Sequence, residues 1–264
     1  MTDGLNYVFS GIEKQVADKP AASRRQFVAG AAATLGGLGL LSIPSAAKAG
    51  HHAGESTTDI INIAATAEVL ATIVNTIGFR RGLGKDAVTQ RNIKAAAREE
   101  LVHYNVLTSL GATPLTKRIW VPDAVFASRT NLLNTLQVGD QIFVNAYLIA
   151  TLHFGNMGNG EFATFTAEFM GVEGVHRALA RQSLGMLGND RVFMKFDQIE
   201  RAPGAPNRGQ RGFEKAADAV VQLQAAGFGF GAEGAKPGRF YHFDNVKQST
   251  PNDPALNTFR PDAA

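Results

Sequence analysis

Two short segments of the chain each place a histidine three residues after a glutamate. The first runs from Glu99 to His103 and includes Glu100, and the second runs from Glu173 to His176. Positions three apart lie on the same face of a helix, so each segment offers a carboxylate and an imidazole to one point. With 11 Glu and 6 His, about 0.25 such matches are expected by chance, so two matches indicate a shared role.

This pairing of residue types is typical of a two-metal site. Carboxylate-bridged sites in four-helix bundles use one Glu-x-x-His pair from each of two helices and one further acid from each of the other two. The chain has no cysteine, so any metal ligands must be oxygen or nitrogen atoms. The alternative is that both histidines are ordinary hydrogen-bonded helix residues beside surface acids.

Apolar residues recur at helical spacing in four long segments and predict four helices over 60–79, 89–110, 131–154 and 162–184. Thr58-Asp59 is the predicted N-cap of the first helix. No segment within 58–187 predicts a strand, and 112–128 is expected to be a long loop in which Trp120 is packed. The predicted fold is therefore all-α: a four-helix bundle over 58–187 with a long crossover between its second and third helices.

The first and third predicted helices each offer an acid to the same centre. Glu68 is the only charged residue between positions 60 and 79, and it precedes Glu100 by 32 positions. In the third helix Asp140 and Gln141 are adjacent and differ by about 100° around the axis, so only one of them can face the centre. Asp140 is expected to face it, because four carboxylates balance two divalent cations, whereas Glu100 and Glu173 brought together without a metal or proton would repel in a dry core. Gln141 is the alternative. Tyr147, later in the third helix, is expected either to be a core residue or to donate to a ligand carboxylate.

Residues 58–187 resemble the ferritin-like superfamily, and the whole chain is similar to its exported branch related to desiccation-associated proteins. The matching stretches are 66–70, 99–103, 144–148 and 172–176. The third helix departs from the family pattern, because it offers Asp140 or Gln141 where the family usually has Glu. With Gln141 in that place the site would lack one charge and hold one metal poorly.

The resemblance implies two bound transition-metal ions, iron in the first place and manganese as the alternative. The implied ligands are bridging Glu100 and Glu173, terminal His103 and His176, the outer carboxylate Glu68, and Asp140 if the set is complete. The implied activity is that of a metal-dependent oxidoreductase that oxidises ferrous iron or reduces peroxide. A non-enzymatic stress or desiccation-related envelope protein with a degenerate or empty site is the second hypothesis, and a subunit of an iron-storing cage is the third.

The first 49 residues are predicted to be a twin-arginine export signal. Arg24-Arg25 precedes a weakly apolar stretch over 28–43, and Ala47-x-Ala49 fits a signal-peptidase site. The stretch is shorter than the roughly 20 residues of a membrane span, although an uncleaved anchor is the alternative. The expected location is the periplasm or the cell exterior, without a stable membrane span after signal removal.

The net charge outside the predicted signal limits the classes of partner that the chain can bind. Residues 1–49 carry a net charge of +2, which leaves +1 of the chain's +3 and argues against a nucleic-acid partner. The expected partners are metal ions with dioxygen or peroxide, and a homo-oligomer is left open. The extension over 188–264 is predicted to contain one helix over 213–226 and an irregular aromatic tail that packs on the bundle rather than binding a ligand.

Overall fold

The computed structural model describes residues 55–188, 215–253 and 256. Four long helices follow one another along the chain: α1 (Thr57–Arg80), α2 (Ala87–Ser109), α3 (Arg129–Asn156) and α4 (Gly160–Ser183). α2 and α3 run parallel, because Arg129 at the start of α3 donates to Gly84 and Asp86 just before the start of α2. Every bound lies within three residues of the prediction, so the four predicted helices are confirmed. The predicted export signal lies outside the described residues.

Side-chain caps determine where the first two helices begin. Ser56 is the N-cap of α1, and its hydroxyl accepts a hydrogen bond from the Asp59 backbone N–H at 3.1 Å. The Asp59 carboxylate in turn accepts one from the Ser56 backbone N–H at 3.2 Å. This reciprocal capping box corrects the prediction that Thr58-Asp59 forms the cap, because Asp59 is the third residue of the helix. Asp86 caps α2 by accepting from the Thr89 N–H at 2.8 Å.

The four helices pack as two antiparallel pairs. The most extensive contacts are between α3 and α4 and between α1 and α2, and the crossover over 110–128 joins the pairs. Among the described residues α1 alone is long and apolar enough to cross a membrane, but 78% of its apolar window is buried inside the protein. Burial of this degree, with Glu68 in the middle of the helix, is typical of the core helix of a bundle.

A small antiparallel sheet corrects two predictions and makes the fold mostly helical rather than all-α. It consists of β1 (Arg118–Pro122), β2 (Gly229–Phe230) and β3 (Gly238–His242) in the order β2-β1-β3, and a 3-10 turn (Asp123–Phe126) follows β1. The crossover over 112–128 is therefore not all loop, and the tail over 227–264 is not all irregular. Strands of two to five residues that pair across more than 100 positions leave no local alternation to detect.

The C-terminal segment packs against the bundle, as expected. Besides the sheet it contains α5 (Ala217–Ala225) and α6 (Phe243–Lys247), and the predicted start of α5 at Phe213 lies outside the described residues. The Phe243 ring lies 4.5 Å from the Tyr104 ring of α2. The Trp120 indole of β1 donates to the Lys236 carbonyl at 2.9 Å, so Trp120 is packed on the sheet.

Candidate metal centre

The six predicted site residues come together in the interior, where all four long helices face one another. Ligand atoms within 4.8 Å of one another form two overlapping groups. The first group is Glu68, Glu100, His103 and Glu173, and the second is Glu100, Asp140, Glu173 and His176. All six side chains are buried. The groups share Glu100 and Glu173, the two carboxylates of the Glu-x-x-His pairs.

The shared carboxylates each direct one oxygen toward each histidine. The Nδ1 atom of His103 lies 3.4 Å from Glu173 Oε1 and 3.7 Å from Glu100 Oε2. The Nδ1 atom of His176 lies 3.2 Å from Glu100 Oε1 and 3.5 Å from Glu173 Oε2. Carboxylates that span two positions in this way have the arrangement needed to bridge two cations.

The third helix contributes Asp140. Its side chain is 4% exposed and belongs to the second group, whereas Gln141 is partly exposed and belongs to neither. Adjacent residues of a helix point about 100° apart, so burial of one turns the other away. The Asp140 carboxylate thus faces the cluster, as expected, and Gln141 does not. Glu68 of α1 completes the first group, with Oε1 3.6 Å from His103 Nδ1.

Many polar atoms of the cluster have no hydrogen-bond partner among the described residues. A buried polar atom left in this state costs free energy, about 1–3 kcal/mol for a neutral group and more for a charged one. A cation between the groups would compensate all of these atoms at once, and their donor set of carboxylate oxygens and imidazole nitrogens suits transition metals. These buried residues could therefore hold a metal ion. The atoms are Glu68 Oε2, Glu100 Oε2, His103 Nδ1, Asp140 Oδ2, Glu173 Oε1 and Oε2, and His176 Nδ1.

Burial and close acidic neighbours favour the protonated forms of several cluster residues. Burial raises the pKa of Glu100 and of Asp140 well above the usual range, and the neighbouring Glu173 charge raises both further. Burial opposes protonation of His103, but Glu68 and Glu173 outweigh it and raise the His103 pKa to about 10. Metal ions must displace these protons, so metal affinity should fall as the pH is lowered.

The pKa of Glu173 is lowered although the side chain is fully buried. Burial alone would raise its pKa, but the close imidazoles of His103 and His176 outweigh burial and lower the Glu173 pKa to about 2. The pKa of His176 is in turn raised well above its usual value, because Glu100, Glu173 and Glu99 outweigh its burial. Glu173 therefore offers a permanent negative charge between the two groups.

Tyr147 of α3 is both a core residue and a hydrogen-bond donor to a cluster carboxylate, the two roles that the sequence left open. It is buried in the core, and its phenol donates to Glu68 Oε1. Burial, followed by the nearby Glu68 charge, raises the Tyr147 pKa well above its usual value, so the phenol keeps its proton and remains a donor. Phe169 of α4 lies edge-on to the Tyr147 ring, with centroids 5.6 Å apart, and covers His103 at 4.1 Å.

Glu99 is a site residue that the sequence reasoning missed. Its Oε2 lies 2.5 Å from His176 Nε2, the ring nitrogen that points away from the cluster. A carboxylate at this position fixes the imidazole orientation and raises its basicity, as outer partners of metal-binding histidines do. The sequence feature that could have identified Glu99 is the doublet Glu99-Glu100. Glu100 faces the cluster, and Glu99 contacts His176 on α4.

Comparisons with protein-family models, with curated proteins and with solved structures found no match for this chain. The residues that could hold a metal ion form two overlapping groups of buried carboxylates and imidazoles, supplied by four helices, that share Glu100 and Glu173.

Proposed function

We propose that this chain is an exported ferritin-like protein with a dimetal-carboxylate centre that oxidises ferrous iron or reduces peroxide. In this proposal Glu100 and Glu173 bridge two metal ions, iron or manganese. His103 and Glu68 bind one ion at its outer side, and His176 and Asp140 bind the other. The observation that carries the proposal is the sharing of Glu100 and Glu173, each with one oxygen toward each histidine.

The charges of the cluster support two divalent cations. Four carboxylates, from Glu68, Glu100, Asp140 and Glu173, can balance two ions of charge +2, and the two imidazoles add neutral donors once their protons leave. Bound ferrous ions would supply two electrons, one each, which with two protons convert one hydrogen peroxide molecule into two water molecules.

The chain's own side chains would hold and orient this centre. Tyr147 donates to Glu68 and limits how far that carboxylate can rotate, while Glu99 holds the His176 ring through Nε2. Asn75 of α1 adds a longer contact, with Nδ2 3.4 Å from Glu100 Oε1. Phe169 and the buried apolar residues around the cluster keep bulk water away, which strengthens the attraction between carboxylates and cations.

Metal content is the direct test of the proposal. Protein purified from metal-supplemented medium should contain about two iron or manganese ions per chain, as in the carboxylate-bridged bundles. Elemental analysis of the folded protein gives the number and identity of the ions. A chain that folds but binds no transition metal under these conditions would contradict the proposal and favour a non-enzymatic envelope protein with an empty site.

Export by the twin-arginine route is part of the proposal and has its own test. Replacing Arg24-Arg25 by Lys-Lys is expected to keep the precursor inside the cell, because the arginine pair is recognised by a receptor as an address. Immunoblots of fractionated cells that express either form measure this. Export of the Lys-Lys form at the level of the unchanged chain would exclude the twin-arginine interpretation.

A further inference from the structure

A recess in the bundle surface leads toward one half of the candidate metal centre. It has a volume of about 350 Å³, counted out to its open mouth, and all four long helices line it. Asp140 and His176 lie at its inner end, whereas neither Glu68 nor His103 lines it. The two halves of the centre therefore differ in their access to solvent.

Polar side chains follow one another along this recess. Asn92 of α2 is partly exposed and lies toward the mouth, and Ser183 of α4 is likewise partly exposed. Asn75 lies deeper, is buried, and has an Oδ1 atom without a hydrogen-bond partner among the described residues. The α2 residues that line the recess run from Thr89 to Ala96, seven positions apart, so the recess extends about 10 Å along α2.

Buried polar atoms without hydrogen-bond partners among the described residues lie at the inner end of the recess. Asp140 Oδ2 and His176 Nδ1 are buried and lack hydrogen-bond partners within the described part of the chain. Asn75 lines the same recess, and amide oxygen atoms can replace water around a divalent cation. The space that centres of water-sized molecules can occupy is about 30 Å³, which is enough for about two water molecules and suits a small ion rather than an organic ligand.

The other half of the centre is closed. The Phe169 ring covers His103, with centroids 4.1 Å apart, and Tyr147 lies against Phe169 while it donates to Glu68. We propose that the recess is the route by which divalent cations enter, and that it opens onto the Asp140–His176 position. This inference rests on the proposed function, since it gives the entry path to the same centre.

Narrowing the recess tests the route. Ala96 and Ala180 line it and are buried, so Ala96→Val and Ala180→Val should each add methyl groups to the path. Each variant is expected to slow Co²⁺ binding, followed by its visible absorption after rapid mixing, by about tenfold, because close-packed interiors leave little other space. The final number of bound ions should not change. Ala150→Val is the matched control, because Ala150 is equally buried on α3 but does not line the recess.

A second variant covers the case in which the buried substitutions prevent folding. Asn92 is partly exposed, so Asn92→Phe can obstruct the mouth without filling the core, and it should slow Co²⁺ binding as well. Wild-type binding rates in the narrowed variants and in Asn92→Phe would overturn the entry route while leaving the metal centre intact. Failure of the unchanged chain to bind Co²⁺ at all would overturn both the route and the proposed function.

Discussion

Glu173→Gln is expected to remove both metal ions at once. Glu173 belongs to both ligand groups, with its two oxygens 3.4 and 3.5 Å from the Nδ1 atoms of the two histidines. It is also the cluster carboxylate whose pKa is lowered, to about 2, so it supplies negative charge at any physiological pH. Loss of even an outer partner of a metal ligand weakens binding by about 10–100-fold, and loss of a shared ligand should cost at least that at both positions.

Equilibrium dialysis against iron or manganese, followed by elemental analysis, measures this effect. Glu168→Gln is the matched control, since Glu168 is an exposed acid of the same helix and belongs to neither group. The control should bind as much metal as the unchanged chain. A Glu173→Gln protein that retained one tightly bound ion would mean that Glu173 serves a single position, and the bridging assignment would then be wrong.

The same variant should abolish stabilisation by metal. An ion that binds only the folded chain raises the free energy of unfolding by about 2.7 kcal/mol when its free concentration is 100 times Kd. The unchanged chain should therefore show a higher melting temperature in the presence of metal, whereas Glu173→Gln should not respond. This readout separates loss of binding from general damage to the fold, because damage would lower the melting temperature with or without metal.

The sequence could predict the helices and most of the candidate site because both depend on local spacing. Apolar residues at helical intervals identified α1 through α4, and the Glu-x-x-His spacing identified the two ligand pairs. The single charged residue between positions 60 and 79 of α1 was an incomplete signal. Glu68 was expected to face either solvent or a stabilising site, and the structure buries it completely, at 0% exposed.

What the sequence could not predict depends on contacts between distant segments. β1 has only five residues and pairs with strands more than 100 positions later, so neither its length nor its local pattern distinguishes it from a loop. The contact of Glu99 with His176 joins α2 to α4 across 77 positions. Likewise, whether the Tyr147 phenol would reach Glu68 depended on the rotation of α3 relative to α1, which the helical period of one segment does not give.

Asp140→Asn is expected to lower the occupancy of one metal position and spare the other. Asp140 belongs only to the group that contains His176, so loss of its charge should weaken that position by at least about tenfold, by comparison with outer-partner substitutions. The Glu68–His103 position keeps all its ligands and should retain its ion.

Gln141→Ala is the matched control on the adjacent, partly exposed position, and it should leave binding nearly unchanged. Elemental analysis after dialysis should give about one ion per chain for Asp140→Asn and two for Gln141→Ala. If Gln141→Ala lost more bound metal than Asp140→Asn, Gln141 would be the metal-binding residue of α3. If neither substitution changed the amount of bound metal, the result would favour a bundle in which these acids and histidines have a structural role alone.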